Sequence, residues 1–68
     1  MVKQVKNIKF KGALVTICYA PTGQCLYQGD TNDIPAHLLN YYSGYQTYNK
    51  VKKTTYIEVT ENKGWWDE

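Results

Sequence analysis

Residues 15–27 constrain the fold most, because their pattern predicts a β-hairpin. Over residues 15–19, apolar residues alternate with others, as in a strand that buries one side. The next four residues, Ala20-Pro21-Thr22-Gly23, place Pro21 where φ must be about −65°. They place Gly23 where the backbone must become left-handed to re-enter a strand. The chain is therefore expected to be organised around an antiparallel sheet.

The length of this loop also predicts the register of the hairpin. Counting outward from Tyr19 and Gln24 pairs Cys18 with Cys25, Ile17 with Leu26, and Thr16 with Tyr27. The pair of Ile17 and Leu26 is apolar, so the register agrees with the hydrophobic pattern. The alternation begins at Ile8 and changes phase across Gly12, which predicts a single strand over residues 8–19 with a glycine bulge.

The second half of the chain predicts one short helix and then more strand. Residues 30–33 have loop and capping side chains, and Pro35 suits a first helical position, so we expect a helix over residues 35–42. Residues 45–60 alternate again, either as one strand or as two strands with a turn near Lys53. The predicted fold is α+β: a small antiparallel sheet in the order ββαβ, or ββαββ, with the helix packed on one face.

The length of the chain predicts a single small domain over residues 1–68, with a tail at residues 62–68 that carries Trp65 and Trp66. These two rings are expected either to complete a small core or to anchor a partner. A net charge of +2 is too small to demand a nucleic-acid or membrane partner through long-range attraction. The chain has no apolar run of membrane-spanning length and no signal-peptide pattern, so we expect a cytoplasmic protein with no membrane partner.

Residues that could carry catalysis or bind a metal are few. His37 has no nucleophile or orienting acid beside it in the sequence, and the pair Asp30 and Asp33 is better explained by capping than by calcium binding. Cys18 and Cys25 could close a disulfide across the hairpin, although burial as two small thiols is favoured in a reducing compartment. We therefore expect no enzymatic activity, no metal and no cofactor.

Tyrosines and lysines interleave over residues 41–56, and this stretch is the strongest functional signal in the chain. Seven Tyr against one Phe favour rings that keep a hydrated hydroxyl group. Val51, Ile57 and Val59 are expected to pack, whereas Lys9 and Lys11 would join the opposite, hydrated side. The residues predicted to bind a partner are Tyr41, Tyr42, Tyr45, Tyr48, Lys50, Lys52, Tyr56, Trp65 and Trp66.

This surface suits two kinds of partner. Tyrosine is favoured at protein interfaces for its large area and few rotatable bonds. The same rings could instead stack the bases of single-stranded nucleic acid, with lysines, including Lys53, along the backbone. An ordinary hydrated sheet face is the structural alternative, and a homodimer is a further candidate assembly. Because every cation is Lys and none is Arg, sequence-specific reading of DNA is disfavoured.

The stretch VTICYAPTGQCLYQGDTNDIP, residues 15–35, resembles a pattern in small accessory proteins of phages and prophages of low-GC Gram-positive bacteria. There, a hairpin with a Thr-Gly turn leads to a Gly-Asp segment and an Asp-Ile-Pro start, followed by a strand similar to Tyr56–Thr60. The resemblance implies a protein that binds and inhibits a host protein, including an anti-defence, anti-CRISPR-like role. The main expectation is thus a non-enzymatic inhibitor acting inside a host cell, and single-stranded nucleic-acid binding is the alternative.

Overall fold

The computed structural model describes residues 3–61, which form one five-stranded sheet in the order β1-β4-β5-β2-β3. The strands are β1 (Lys3–Gln4), β2 (Leu14–Tyr19), β3 (Gln24–Asp30), β4 (Tyr42–Asn49) and β5 (Thr54–Thr60). Three short 3-10 turns connect them, at Val5–Asn7, Thr31–Asp33 and Ala36–Leu38. Four strands make up almost all of the sheet, and β1 is a two-residue edge strand on β4.

The sheet is mixed, whereas the sequence predicted an antiparallel one. The neighbours β2 and β3, β4 and β5, and β1 and β4 are antiparallel, but the central strands β2 and β5 run parallel. A parallel pair needs a long connection between its strands. Here β3, residues 31–41 and β4 together supply it, which brings the second hairpin beside β2.

The predicted helix over residues 35–42 is wrong, and with it the α+β class: the described chain is mostly β with single 3-10 turns. Only Ala36–Leu38 turns, directly after Pro35. The carbonyls of Leu39 and Tyr41 accept hydrogen bonds from the backbone N–H groups of Lys6 (3.1 Å) and Val5 (2.9 Å), so they do not bond within a helix. Isolated helices shorter than about 12 residues are marginal, and this strand-like pairing competes successfully.

The predicted strand over residues 8–19 is confirmed for its second half and wrong for its first half. β2 covers Leu14–Tyr19, but residues 8–13 form a loop, so Gly12 is not a bulge in a strand. Phe10 in this loop packs against the hydrophobic core. The alternation at residues 8–11 therefore reflects one inward-facing ring and two lysines rather than a strand.

The predicted hairpin is confirmed, with one correction to its register. Tyr19 pairs with Gln24, Cys18 pairs with Cys25, and Gly23 has φ +77°. The register then shifts between Ile17 and Cys18, so that Ile17 faces Tyr27 and not Leu26. A bulge at Leu26 lets both Leu26 and Tyr27 pack against the core, which adds apolar contact to a small domain.

The core lies on one side of the sheet, here called the packed face. Val15 and Ile17 of β2 and Ile57 and Val59 of β5 are fully buried there. Among residues 3–61, the fully buried apolar residues Val5 and Leu38 also join this core, from the 3-10 turns on the connections. Because strand side chains alternate, Thr16, Cys18, Tyr56 and Glu58 lie on the opposite side, here called the open face.

Candidate functional site

One end of the sheet gathers lysines around the turn between β4 and β5. The Asn49 side chain accepts a hydrogen bond from the Lys52 backbone N–H (3.0 Å), and the Thr54 hydroxyl donates to the Lys52 carbonyl (3.0 Å). Lys53 has φ +53°, a left-handed conformation that is uncommon for a residue with a side chain. Of the two alternatives predicted for residues 45–60, one strand or two strands with a turn near Lys53, the second is therefore correct. Val51, expected to pack, is 92% exposed at the tip of the turn.

The loop at residues 8–13 lies directly against this turn. A Cβ atom on Gly12 would come 2.3 Å from the Lys53 carbonyl oxygen and 3.1 Å from the Tyr48 ring, so only glycine permits this approach. Thr31 fixes the loop from the other side, because its hydroxyl donates to the Gly12 carbonyl (3.2 Å). The loop therefore carries Lys9 and Lys11 to the same end of the sheet as the turn. We call Lys9, Lys11, Lys50, Lys52 and Lys53 the basic end.

A cavity of about 200 Å³ opens at the basic end. It is lined by Lys9, Lys11, Gln46, Thr47, Tyr48 and Thr55, and we call it the basic pocket. Thr55 is 3% exposed, and its hydroxyl has no hydrogen-bond partner. An unpaired buried hydroxyl costs about 1–3 kcal/mol. The pocket thus combines two ammonium groups, one aromatic ring and one unsatisfied hydroxyl.

Neither of the two carboxylates on the strands, Asp30 of β3 and Glu58 of β5, lines the pocket. Glu58 lies three residues along β5 from the pocket residue Thr55, a distance of about 10 Å at strand spacing. Asp30 is opposite Leu14, which in turn is opposite Thr54, so Asp30 is two strands, or about 10 Å, from the start of β5 beside the turn of the basic end. At these separations water and salt screen much of the attraction, so the positive charge of the basic end is only partly neutralised.

The open face has an aromatic pair of its own. The rings of Tyr45 and Tyr56 meet edge to face with centroids 6.3 Å apart. The Tyr56 hydroxyl donates to the Glu58 carboxylate (3.1 Å). Desolvation of the hydroxyl, and then this bond to an anion, raise the pKa of Tyr56 to about 12. A neutral phenol with this pKa acts as a hydrogen-bond donor and not as a base.

The predicted tyrosine and lysine surface is divided by the sheet. The turn pairs Tyr48 with Thr55 and Thr47 with Tyr56, so Tyr48 faces the packed side and Tyr56 the open side. Tyr41 packs against the core with its ring edge-on to Tyr19, at a centroid distance of 6.4 Å. The expectation of one shared face is therefore wrong.

The remaining predicted site residues fall in three places. Tyr42 begins β4 opposite Thr60, and Tyr45 is on the open face. Lys50 and Lys52 are in the turn of the basic end. Trp65 and Trp66 lie outside the described residues.

Sequence reasoning missed Gln46, Thr47 and Thr55 as pocket residues, because their position in the pocket depends on the register between β4 and β5, which the sequence pattern alone does not determine. Asn49 was the available signal. Asn side chains often bond to backbone N–H groups a few residues further on, as Asn49 does here, and so mark turns.

Other chemistry finds little support in residues 3–61. His37 is exposed in the turn Ala36–Leu38, and this part of the chain has no cluster of three His, Cys, Asp or Glu residues that could hold a metal ion. Asp30 caps the turn Thr31–Asp33 by accepting from the Asn32 N–H (2.8 Å), as its capping role predicted. None of the helical turns in these residues is long and apolar enough to cross a membrane.

Comparison with known proteins adds no assignment. No family model, no curated protein and no solved structure matches this chain. The resemblance to small phage and prophage proteins therefore has no support from these comparisons.

Proposed function

We propose that this protein is a non-enzymatic domain that binds single-stranded nucleic acid at the basic end. One observation supports this most: Lys9 and Lys11 share a pocket with the Tyr48 ring and the unpaired Thr55 hydroxyl. The three lysine positions of the adjoining turn extend the positive surface beyond the pocket mouth. Single-stranded nucleic-acid binding is the alternative function expected from the sequence. The residues proposed to carry it are now those of the basic end and the basic pocket, and not one shared face of tyrosines and lysines.

The composition of the pocket suits a nucleotide within a strand. Ammonium groups pair with backbone phosphates, and stacking of a base on an aromatic ring is worth about 1–3 kcal/mol. A cavity of about 200 Å³ is smaller than a site for a whole drug-sized ligand, which begins at about 300 Å³. It therefore fits part of one nucleotide, with the rest of the strand outside on the turn.

Two further features support the proposal, the first by indicating a sequence-tolerant ligand and the second by indicating that the turn is functional. All cations are lysines, which act as point charges on phosphate and lack the planar fork that reads guanine. Lys53 occupies a left-handed position where Gly would be less strained, at a cost of about 1–2 kcal/mol. Backbone strain of this kind occurs preferentially at functional sites.

Fluorescence anisotropy with a labelled oligothymidine of about 12 nucleotides tests the proposal, because that length spans one small single-strand site. Affinity should fall as salt rises, and removing one phosphate contact by Lys9→Ala should reduce the slope of log K against log salt by about 0.7. Lys6→Ala is the matched control: it removes the same charge from an exposed turn residue that does not line the pocket.

A second variant separates stacking from charge. Tyr48→Leu keeps apolar volume but removes the ring, so the Kd should rise by about five- to 150-fold while the salt slope stays unchanged. No binding at low salt, or equal losses for Lys6→Ala and Lys9→Ala, would contradict the proposal.

Binding of a partner protein at the open face is the second candidate. It is favoured by Tyr45 and Leu14, which are 52% and 43% exposed and lie on the same side as the Tyr56 ring. The narrower expectation, inhibition of a host protein with an anti-defence role, rests on the resemblance to phage proteins alone.

Affinity capture from bacterial lysate distinguishes the two faces. If the wild type and Lys9→Ala both capture a protein that Tyr45→Ala does not capture, that protein binds at the open face. Equal retention by all three proteins would argue against this candidate.

A further inference from the structure

The two cysteines form a cross-strand pair near the closed end of the first hairpin. Cys18 of β2 is directly opposite Cys25 of β3, with only the pair of Tyr19 and Gln24 between them and the loop. Both are free thiols in the structure. Cys18 is half-buried and Cys25 is exposed, so one thiol is protected and the other meets solvent.

The backbone spacing fits a disulfide. Opposed residues in an antiparallel ladder have Cα atoms about 4.5–5.5 Å apart, depending on whether the pair is hydrogen-bonded. Disulfides need a Cα separation of about 4.4–6.8 Å, so closure requires no large backbone movement. The register shift between Ile17 and Cys18 leaves the ladder locally irregular, which gives the strands room to adjust.

The environments of the two sulfur atoms differ in the way that a reactive pair requires. Exposure lets an oxidant reach Cys25, whose thiol donates a weak hydrogen bond to the Tyr27 carbonyl oxygen (3.7 Å) and also interacts with the Cys18 thiol. Burial raises the pKa of the Cys18 thiol and also shields this sulfur from a dissolved oxidant, so the exposed Cys25 is the sulfur that the oxidant meets first.

We propose that Cys18 and Cys25 are a reversible redox pair that closes a disulfide across β2 and β3 when the protein meets hydrogen peroxide. The Cys25 thiolate attacks one peroxide oxygen, the O–O bond breaks, and water leaves after protonation, which gives a sulfenic acid on Cys25. The Cys18 thiolate then attacks the Cys25 sulfur, the S–O bond breaks and a second water leaves. Two thiols are oxidised and one peroxide is reduced.

Peptide mapping without reductant tests this on the full chain after mild peroxide treatment. Both titratable thiols should be lost, the intact mass should fall by two hydrogen atoms, and a peptide pair joined through Cys18 and Cys25 should appear. Dithiothreitol should restore both thiols. Disulfide-linked dimers, or a sulfinic acid with no internal link, would overturn the proposal.

Single serine variants assign the two roles. In Cys18→Ser, oxidation should stop at a Cys25 sulfenic acid that dimedone traps, whereas Cys25→Ser should keep its remaining thiol under the same treatment. Oxidation of Cys25→Ser at the wild-type rate would contradict the order of attack. If the Cys18 variant does not fold, the wild-type map and the exposed Cys25 variant still decide the question.

Discussion

Gly12→Ala should both destabilise the protein and lower the affinity of the basic pocket for oligothymidine. The new methyl group would lie 2.3 Å from the Lys53 carbonyl oxygen and 2.9 Å from its carbon, so loop and turn must separate by about 1 Å to reach normal contact. Overpacking of this kind costs about 1–3 kcal/mol, and Ala recovers about 0.4–1 kcal/mol by restricting the unfolded chain. Because the clash is with backbone atoms, which cannot rotate aside, the overpacking cost should lie at about 2–3 kcal/mol. We therefore expect a net loss of about 1–2.5 kcal/mol, or a Tm lower by about 4–20 °C.

Urea denaturation followed by circular dichroism measures this loss, and oligothymidine anisotropy measures the effect on the pocket. Gly23→Ala is the control, because Gly23 has φ +77° with open space around its Cβ position, far from the pocket in the first hairpin. It should lose about 1–2 kcal/mol through backbone strain alone. Only Gly12→Ala should also raise the Kd. A Gly12→Ala protein as stable as the wild type would refute the packing argument, and one that is destabilised but binds normally would refute the site.

Three more predictions follow from single residues. Lys53→Gly should stabilise the turn by about 0.5–1 kcal/mol in urea denaturation, because relief of the positive φ exceeds the added chain entropy; a loss of stability would contradict this. Ile57→Ala should cost about 2–5 kcal/mol, since this side chain is fully buried at the centre of the sheet, and thermal unfolding by circular dichroism should show near-complete loss of structure. In ultraviolet titration, the wild type should show one phenol with a pKa of about 12 that is absent from Tyr56→Phe. Glu58→Gln should lower the pKa of this phenol, because it removes the anion that accepts the hydrogen bond of Tyr56. Because the folded pKa exceeds the ordinary value, the stability that Tyr56 contributes should be constant below pH about 10 and should be lost as pH rises towards about 12. The stability difference between the wild type and Tyr56→Phe should therefore change over this range, and a constant difference would contradict the assignment.

The first hairpin was predictable because its signals are local. Pro21 and Gly23 have conformational preferences that do not depend on the rest of the chain, and they set the loop and the pairing of Cys18 with Cys25. The shift at Ile17 was not predictable, because it arises from packing of Leu26 and Tyr27 against residues distant in sequence. Local patterns therefore indicated the element but not its complete register.

Features that depend on contacts between residues distant in the sequence were likewise not predictable from local patterns. Residues 35–42 carry helix-start signals, but their carbonyls bond to Val5 and Lys6 instead, a contact that no local pattern encodes. In the site, Lys9, Lys11 and Tyr48 were recognised as a group, whereas their separation from Tyr56 depended on a turn that reverses the chain after Asn49. The kinds of residue were thus predictable, and their division between two faces was not.

The most direct test of nucleic-acid binding at the basic end is amide chemical-shift mapping of the labelled protein during titration with oligothymidine at low salt. We predict that the shifts concentrate in residues 9–13, 46–48 and 50–55, and that they diminish as salt is added. Shifts centred on the β2 and β3 hairpin, or a spectrum unchanged by the oligonucleotide, would contradict the proposed site.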